Sequence, residues 1–402
     1  MKTIANLDRV LDNKVVRIIL YYLIFIAFLF PRGGLGYSDI YKRIYTVLIW
    51  GSTFIIYIIM FLYFINNYRS IIKKHTLIFL YFVFLILVTV IQRGILFNGY
   101  QKLIAFPAIL FFAFYGFKRD PKNMLNCVIN IILVEFLLNQ IVLRDFFEQQ
   151  YHTCFLGHVQ MIAQLGLLGV FCSFLYWNLY NEQKIKIVLT CILVLFTMIT
   201  TDATSSIGCA IILVVIYIFY KINKYSFFLK DTKFYIIGGV VLSIIAVLAS
   251  ELNNIFLNSK IYALDFSGRG FVWNDALQKI INRPIWGYGV EGVLLRTFWN
   301  IRSGSIGFNY AHNQNLQNLL DGGIIAFVLF YIMLIKIFKK VNNVLDDKYK
   351  FIINSTLVCF LCIMIFESVS LYCYFYIFCG IAYAMFNVAN AKNRSKKNGV
   401  NK

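Results

Sequence analysis

The sequence predicts an all-α, polytopic membrane protein with about 12 transmembrane helices. Hydrophobic residues make up 60% of the 402 residues and charged residues only 14%, whereas soluble domains carry about 25% charged residues. A spanning helix needs roughly 20 mostly apolar residues. The apolar runs are continuous rather than alternating, which excludes membrane β-strands. The whole chain, 1–402, is therefore predicted to form a single transmembrane domain.

Continuous apolar segments predict the individual spanning helices. In chain order they are 15–30, 44–65, 76–91, 103–117, 124–143, 159–180, 185–200, 205–222, 234–250, 315–338, 351–371 and 374–388. The first segment has no small-residue cleavage site after it, so we expect it to remain as an uncleaved anchor.

The net charge of +20 follows the predicted topology. With the N-terminus in the cytoplasm and alternating helices, most lysines and arginines fall on the cytoplasmic side, as the positive-inside rule requires. Both termini are then cytoplasmic, and 389–402 forms a basic cytoplasmic tail beside anionic lipid. This distribution argues against a nucleic-acid partner.

One outer loop, 251–311, is unusually basic for its side of the membrane. Within it, 271–283 has the spacing of an amphipathic helix, with Trp273, Leu277, Ile280 and Ile281 on one stripe. Asp275 and Lys279 form a favourable i, i+4 pair on the other face, and Pro284 ends the helix. We expect this helix to lie along the membrane interface or to pack on the protein.

Arg269 and His312 lie at the two ends of this stretch. Arg269 stands between Gly268 and Gly270, where the backbone can approach a ligand, and its guanidinium matches phosphate oxygens. His312 begins the next spanning helix, whose positive end should keep the imidazole neutral and able to accept a proton. The alternative is that His312 only satisfies hydrogen bonds at the helix start.

Other polar groups lie at predicted outer ends or inside a span. Gln314, Asn318 and Asp321 form a stripe that must face other helices or a water-filled cavity, because lipid would not tolerate it. Glu135 inside its span is a functional candidate or a structural hydrogen-bonding group. The outer histidines have no ligand spacing, so we expect no metal site.

The motifs of the outer loop resemble those of the O-antigen polymerase and ligase family. They are Ser-Gly-Arg followed by Trp-x-x-Ala-Leu, a proline and a Gly-x-Gly turn, and then His-Asn-x-x-Leu-x-x-Leu-x-x-x-Gly. The match covers about 267–330. It implies a GT-C-like glycosyltransferase that works at the outer side of the plasma membrane, which is the inner membrane in a Gram-negative cell. Its donor and acceptor would be undecaprenyl-diphosphate-linked oligosaccharides.

The resemblance also implies roles for particular residues. It associates Arg269 with the diphosphate and His312 with activation of the acceptor, and both are predicted to be catalytic. Where the family often has a second arginine, the stretch TDATSSIG has Ser206. The second diphosphate-binding cation is then expected among Arg93, Lys102, Arg296 and Arg302, and Asn313 and Asp202 are also predicted to bind substrate. No cofactor is expected.

The sequence leaves three functional hypotheses. The first is a polymerase of lipid-linked repeat units for O-antigen, capsule or a related polysaccharide, with membrane lipid and a chain-length regulator protein as further partners. The second is an O-antigen ligase that transfers glycan to lipid A core. The third is a lipid-linked glycan flippase, although transporters usually place polar groups near the midplane.

Overall fold

A computed structural model describes twelve α-helices within residues 12–36, 38–93, 100–141, 153–200, 204–222, 226–255, 269–295, 307, 310–344 and 346–400. The helices are α1 Lys14–Leu29, α2 Asp39–Arg93, α3 Tyr100–Arg119, α4 Pro121–Ile141, α5 Val159–Tyr180, α6 Lys184–Thr200, α7 Thr204–Lys221, α8 Thr232–Ile255, α9 Arg269–Asn282, α10 Gln314–Phe338, α11 Asp347–Phe366 and α12 Cys373–Val400. A two-residue antiparallel hairpin, β1 Thr153–Cys154 and β2 Gly157–His158, precedes α5.

The two apolar halves of α2 lie side by side and antiparallel. Tyr57 in the first half donates a 3.0 Å hydrogen bond to the Ile104 carbonyl. Leu85 in the second half lines a small cavity with Leu103 and Phe106. A straight helix would separate Tyr57 from Leu85 by about 40 Å at 1.5 Å per residue. The two halves therefore correspond to the separate predicted spans 44–65 and 76–91.

Seven helical segments of the described chain are long and apolar enough to cross a membrane. They are Asp39–Ile65, His75–Arg93, Pro121–Gln140, Val159–Tyr180, Thr232–Glu251, Gln314–Asn343 and Asp347–Phe366. Each of the other predicted spans also coincides with a helix, and α12 continues through most of the predicted tail. The prediction of a polytopic α-helical membrane protein is confirmed, and the count of 12 spans and the GT-C-like fold stay predictions.

The centre of the bundle is close-packed, and its sides are apolar. At Gly380 of α12, an added Cβ atom would lie 2.4 Å from the Leu110 carbonyl of α3, so these helices touch backbone to backbone. Outward-facing residues such as Ile185, Ile211 and Ile245 are exposed. An apolar exterior of this extent suits lipid rather than water.

The connecting segments sort to two ends of the bundle. At one end, the backbone N–H groups of Arg32 and Gly33 donate to the carbonyls of Leu156 and Phe155, and residues 269–295, 310–313 and 367–372 contact one another. We call this end the site face. At the opposite face Arg17 pairs with Asp120, Lys122 pairs with Glu182, and the Thr232 N–H donates to the Asn342 side chain.

Candidate active site

Helix α9 packs on the protein through its tryptophan. The helix runs from Arg269 to Asn282, and the predicted Asp275–Lys279 pair is present at 2.6 Å. Trp273 is 0% exposed and packs with Val247 of α8 and Leu316 and Leu320 of α10. The helix is therefore anchored in a small core at the site face. Leu277 and Ile280 of the predicted stripe pack against this core, but Ile281 is exposed, as is Phe271, so the prediction was wrong for Ile281.

Helix α10 is broken at Gly322 and Gly323, and the turn after α9 fills the break. Gly323 has φ +64°, a left-handed conformation that favours glycine. The N–H groups of Tyr288 and Gly289 donate to the carbonyls of Leu320 and Asp321 at 2.7 and 3.0 Å. On the other side of the break, the Ile324 N–H donates to the Pro284 carbonyl at 2.8 Å. The backbone groups freed by the break therefore find protein partners, as a membrane interior requires.

The glycines at this junction are required by close approach. A Cβ atom at Gly287, where φ is +62°, would lie 2.4 Å from the Leu320 carbonyl oxygen. At Gly323 it would lie 2.1 Å from the Ile285 carbonyl oxygen. The Gly-x-Gly motif predicted as a turn is confirmed as one, and it locks the 284–289 segment to the helix that follows His312.

A buried carboxylate joins the two predicted catalytic residues. Arg269 donates through Nη2 to Glu367 Oε1 at 2.8 Å and through Nε to the Phe366 carbonyl at 3.1 Å. His312 Nδ1 lies 3.2 Å from Glu367 Oε2. Glu367 is 1% exposed and His312 is 5% exposed. The structure therefore brings Arg269 and His312 to one acid, although 43 positions separate them in the sequence.

Its two partners keep Glu367 charged. Burial alone would raise the pKa of the Glu367 carboxyl, but His312 and Arg269 together hold that pKa below its ordinary value. Because a carboxylate only accepts hydrogen bonds, the proton of a neutral His312 is fixed on Nδ1. The basic lone pair is then on Nε2. This is the arrangement of a carboxylate-oriented general base.

His312 has a backbone conformation that few residues tolerate. Its φ is +48°, in the left-handed region that costs a side chain other than glycine, asparagine or aspartate about 1–2 kcal/mol. Asn313 follows as the N-cap, and its Oδ1 accepts from the Leu316 N–H at 3.1 Å. The Asn313 amide donates to Ser243 Oγ and to the Ile365 carbonyl, both at 2.9 Å. Asn313 therefore holds the turn that carries His312, and its predicted contact with substrate stays a prediction.

Two tyrosines border the charged cluster. The Tyr310 ring centroid lies 4.3 Å from that of His312, and burial raises the pKa of the Tyr310 phenol. Burial, followed by Glu367, raises the pKa of Tyr372 to about 12. Both phenols are therefore neutral donors at physiological pH.

The predicted polar stripe of α10 faces other helices. The Gln314 amide donates to Asn318 Oδ1 and to Ser370 Oγ at 3.0 and 2.9 Å. Tyr81 donates to Asn318 at 3.2 Å, and Gln317 donates to Asp321 at 2.8 Å. This network ties α10 to the 367–372 segment, so it supports the position of Glu367 next to His312.

The remaining predicted site residues lie elsewhere or outside the described residues. Arg93 donates to the carbonyls of Val290 and Glu291, which places it beside the turn after α9. Ser206, the residue in place of the expected arginine, donates to the Val159 carbonyl at 3.1 Å. Asp202, Arg296, Arg302 and the side chain of Lys102 lie outside the described residues.

Sequence reasoning missed Glu367 because it placed the residue inside a span. The predicted span 351–371 ends in the structure at Phe366, and Glu367 is the residue that caps the helix. The boundary prediction was wrong because the apolar run continues through the outer segment into α12. An acid within an apolar run is itself a functional signal, and applying it to Glu367 as well as to Glu135 would have found the residue.

Residues 187–331 match the family model described as O-antigen ligase. The match contains Arg269 and His312 and ends before Glu367. It covers the helices from α6 to most of α10, which is the part of the chain that carries the α9 anchor and the broken helix.

Several Rickettsia proteins named "Putative polysaccharide ligase" are similar to this chain. The Rickettsia conorii protein is 30% identical over 186 residues, which are 43% of this chain and 43% of that protein. The Rickettsia typhi protein is 25% identical over 339 residues, 81% of this chain and 76% of that protein. The Rickettsia felis protein is 30% identical over 170 residues, 40% of each chain. The chain thus aligns with less than half of the first and third proteins and with about three quarters of the second.

Proposed function

We propose that this protein, whose residues 187–331 resemble an O-antigen ligase family model, transfers a lipid-diphosphate-linked glycan to an acceptor hydroxyl. The observation that carries the proposal is the contact of one buried carboxylate, Glu367, with both Arg269 and His312. Such a group can present a phosphate-binding cation and a general base in a fixed relation. The left-handed φ of His312 agrees with this, because strained backbone clusters at functional sites.

The proposed reaction is a direct displacement. The oxygen of an acceptor hydroxyl attacks the anomeric carbon, and the bond from that carbon to the diphosphate oxygen breaks with inversion. The hydroxyl proton passes to Nε2 of His312, and the bonding electrons leave with undecaprenyl diphosphate. Arg269 neutralises the charge that develops on the leaving diphosphate. Glu367 stabilises the imidazolium that His312 becomes.

Position and charge neutralisation should supply most of the rate. The diphosphate is already a good leaving group, so the protein has to align the hydroxyl with the anomeric carbon and to stabilise the departing anion. We therefore propose a reaction in which no cofactor takes part.

The distribution of basic residues supports an outward orientation of the site. Described lysines and arginines gather at the opposite face, among them Arg17, Lys118, Arg119, Lys122, Lys184, Lys186, Lys230, Lys339 and Lys340. The positive-inside rule places that face in the cytoplasm. The site face then opens to the outer side of the plasma membrane, and both termini are cytoplasmic. We propose in addition that the chain has 12 spans in a GT-C-like arrangement.

The identity of the acceptor separates a ligase from a polymerase. The family description and the relatives' names both contain the word ligase, which favours transfer of the glycan to a different acceptor, such as lipid A core. A polymerase would instead use the growing glycan or a second lipid-linked repeat unit, and it would be expected to work with a chain-length regulator.

One experiment with purified protein tests the function. A single defined undecaprenyl-diphosphate-linked repeat unit is supplied alone and then with lipid A core. Product on the core only indicates a ligase, and a ladder without the core indicates a polymerase. Movement of the labelled lipid across vesicles without a new glycosidic bond would indicate a flippase. In that case the proposed transfer is wrong.

A further inference from the structure

A second arginine, Arg32, is held firmly at the site face. Its backbone N–H donates to the Leu156 carbonyl at 3.1 Å, and the next residue, Gly33, donates to the Phe155 carbonyl at 3.1 Å. A Cβ atom at Gly33 would lie 2.1 Å from the Cys154 carbonyl oxygen, so only glycine fits there. The Pro-Arg-Gly-Gly sequence after α1 is therefore fixed against the β1–β2 hairpin, which also fixes the backbone that carries the Arg32 guanidinium.

The guanidinium of Arg32 faces aromatic rings. Its Cζ atom lies 5.7 Å from the ring centroid of Tyr372 and 5.8 Å from that of Tyr45. Across the described ranges no carboxylate pairs with Arg32, and its Nε is buried without a hydrogen-bond partner there. A guanidinium carries five N–H donors and stays charged. A half-buried cation with unused donors is costly unless an anion binds to it.

Tyr372 neighbours both Arg32 and Glu367. The Arg32 Cζ atom lies 5.7 Å from the Tyr372 ring centroid, and the Tyr372 phenol interacts electrostatically with both Glu367 and Arg32. Glu367 in turn contacts Arg269 and His312. Arg32 therefore lies next to the proposed active site, beside Tyr372.

The positive charge of Arg269 does not balance a bound diphosphate, and Arg32 can add a second positive charge. Arg269 carries a single positive charge and shares it with Glu367 at 2.8 Å. A diphosphate that joins a lipid to a glycan carries two negative charges and gains a further one as the glycan leaves. One paired arginine does not balance this charge, and Arg–phosphate contacts are among the stronger hydrogen bonds in proteins.

The other described cations of the site face are occupied or exposed. Arg93 binds backbone carbonyls, Lys279 pairs with Asp275, and Arg283 donates to Gln92 at 2.7 Å. Lys42 and Arg43 are exposed at the start of α2. Resting on the proposed function, we propose that Arg32, beside Tyr372, is the second cation that binds the lipid diphosphate, together with Arg269.

A binding experiment on the full-length protein in detergent tests Arg32 without relying on turnover. The dissociation constants of undecaprenyl diphosphate and undecaprenyl monophosphate are measured for the wild-type protein, R32Q, R32K and R17Q. R32Q should weaken diphosphate binding about tenfold or more and monophosphate binding by less than about threefold. R32K keeps the charge but loses the planar fork, so it should fall between R32Q and wild type. R17Q, an arginine of the opposite face, should leave both constants unchanged.

The outcomes separate this inference from the proposed function. The role of Arg32 would be overturned if R32Q binds the diphosphate as tightly as wild type, or if R32Q and R32K weaken the binding of both ligands equally. Either result leaves the transferase proposal in place. A wild-type protein that binds no undecaprenyl diphosphate would instead overturn the proposed function. If R32Q does not fold, R32K decides the question, because a preferential loss of diphosphate binding supports the role and an equal loss overturns it.

Discussion

The carboxylate of Glu367 lies 3.2 Å from Nδ1 of His312. The contact spans two helix ends, because His312 precedes α10 and Glu367 follows α11. It orients the ring and, in the proposed reaction, leaves Nε2 to take the acceptor proton. A residue that orients a base in this way should affect turnover more than substrate binding.

We therefore expect E367Q to lower kcat about 10²-fold or more while KM changes little, because the imidazolium loses its stabilising charge. The measurement is product formation from a lipid-linked glycan at several donor concentrations. E251Q is the matched control, since Glu251 lies at the same face and accepts a 2.9 Å hydrogen bond from Asn274. Equal activity of E367Q and E251Q would contradict the orienting role.

The pH dependence of stability should report the same carboxylate. The folded-state pKa of Glu367 lies below its ordinary value of 4.5, so its stabilisation is complete above about pH 4.5. That stabilisation is lost as pH falls through the lower folded value. At pH 7, E367Q should be less stable than wild type by about 3 kcal/mol, because Arg269 loses its buried partner. The difference in Tm should shrink below pH 4.5, and a constant difference down to pH 3 would rule out this explanation.

Two substitutions at His312 separate the loss of its imidazole from the energetic cost of its left-handed backbone. Asparagine tolerates a left-handed φ far better than alanine does. H312A keeps this backbone strain and H312N relieves it, so H312N should be more stable than H312A by about 1 kcal/mol. Neither variant can take up the acceptor proton, so both should lose transfer by at least about 10²-fold. Thermal unfolding and product formation measure the two effects, and an active H312A would refute the assignment of His312 as the base.

The sequence predicts the helices better than their ends because the two follow from different physics. An apolar run near 20 residues can only be a helix in lipid, and each predicted span contains one. Helix α11 ends just before Glu367, which contacts Arg269 and His312, two residues distant from it in the sequence. Periodicity carries no information about such partners.

The break in α10 and the burial of Trp273 have the same origin. Gly322 and Gly323 lie in an apolar run that predicts one continuous helix, and only the distant 284–289 turn supplies the hydrogen bonds that let it break. The stripe of α9 predicts which side is apolar but not whether lipid or α10 covers it. Residue type and helix position mark Arg269 and His312 as candidates in the sequence, and the structure places both beside Glu367.

Burial of the tryptophan of α9 predicts unequal effects of two neighbouring substitutions. Trp273 is 0% exposed, while Phe271 is 53% exposed. W273A should destabilise the protein by about 3–5 kcal/mol, because it leaves a cavity between α8, α9 and α10. F271A removes a ring of similar type from the outer side of the same helix and should cost less than about 1 kcal/mol. Thermal unfolding in detergent compares them, and similar Tm values for the two variants would indicate that α9 does not pack as described.

The junction between the 284–289 turn and α10 should tolerate no Cβ atom. G287A places a methyl group 2.4 Å from the Leu320 carbonyl oxygen at a backbone with φ +62°, so either the turn or α10 must move. Because α10 carries His312 at its start, G287A should lower both Tm and transfer activity, by about 2–3 kcal/mol and about 10²-fold. G238A is the control, since a Cβ atom at Gly238 of α8 has nothing within 4 Å. Alanine there should be neutral or stabilise the helix by up to about 1 kcal/mol. A G287A variant that behaves like G238A in both measurements would show that the turn does not set the position of His312.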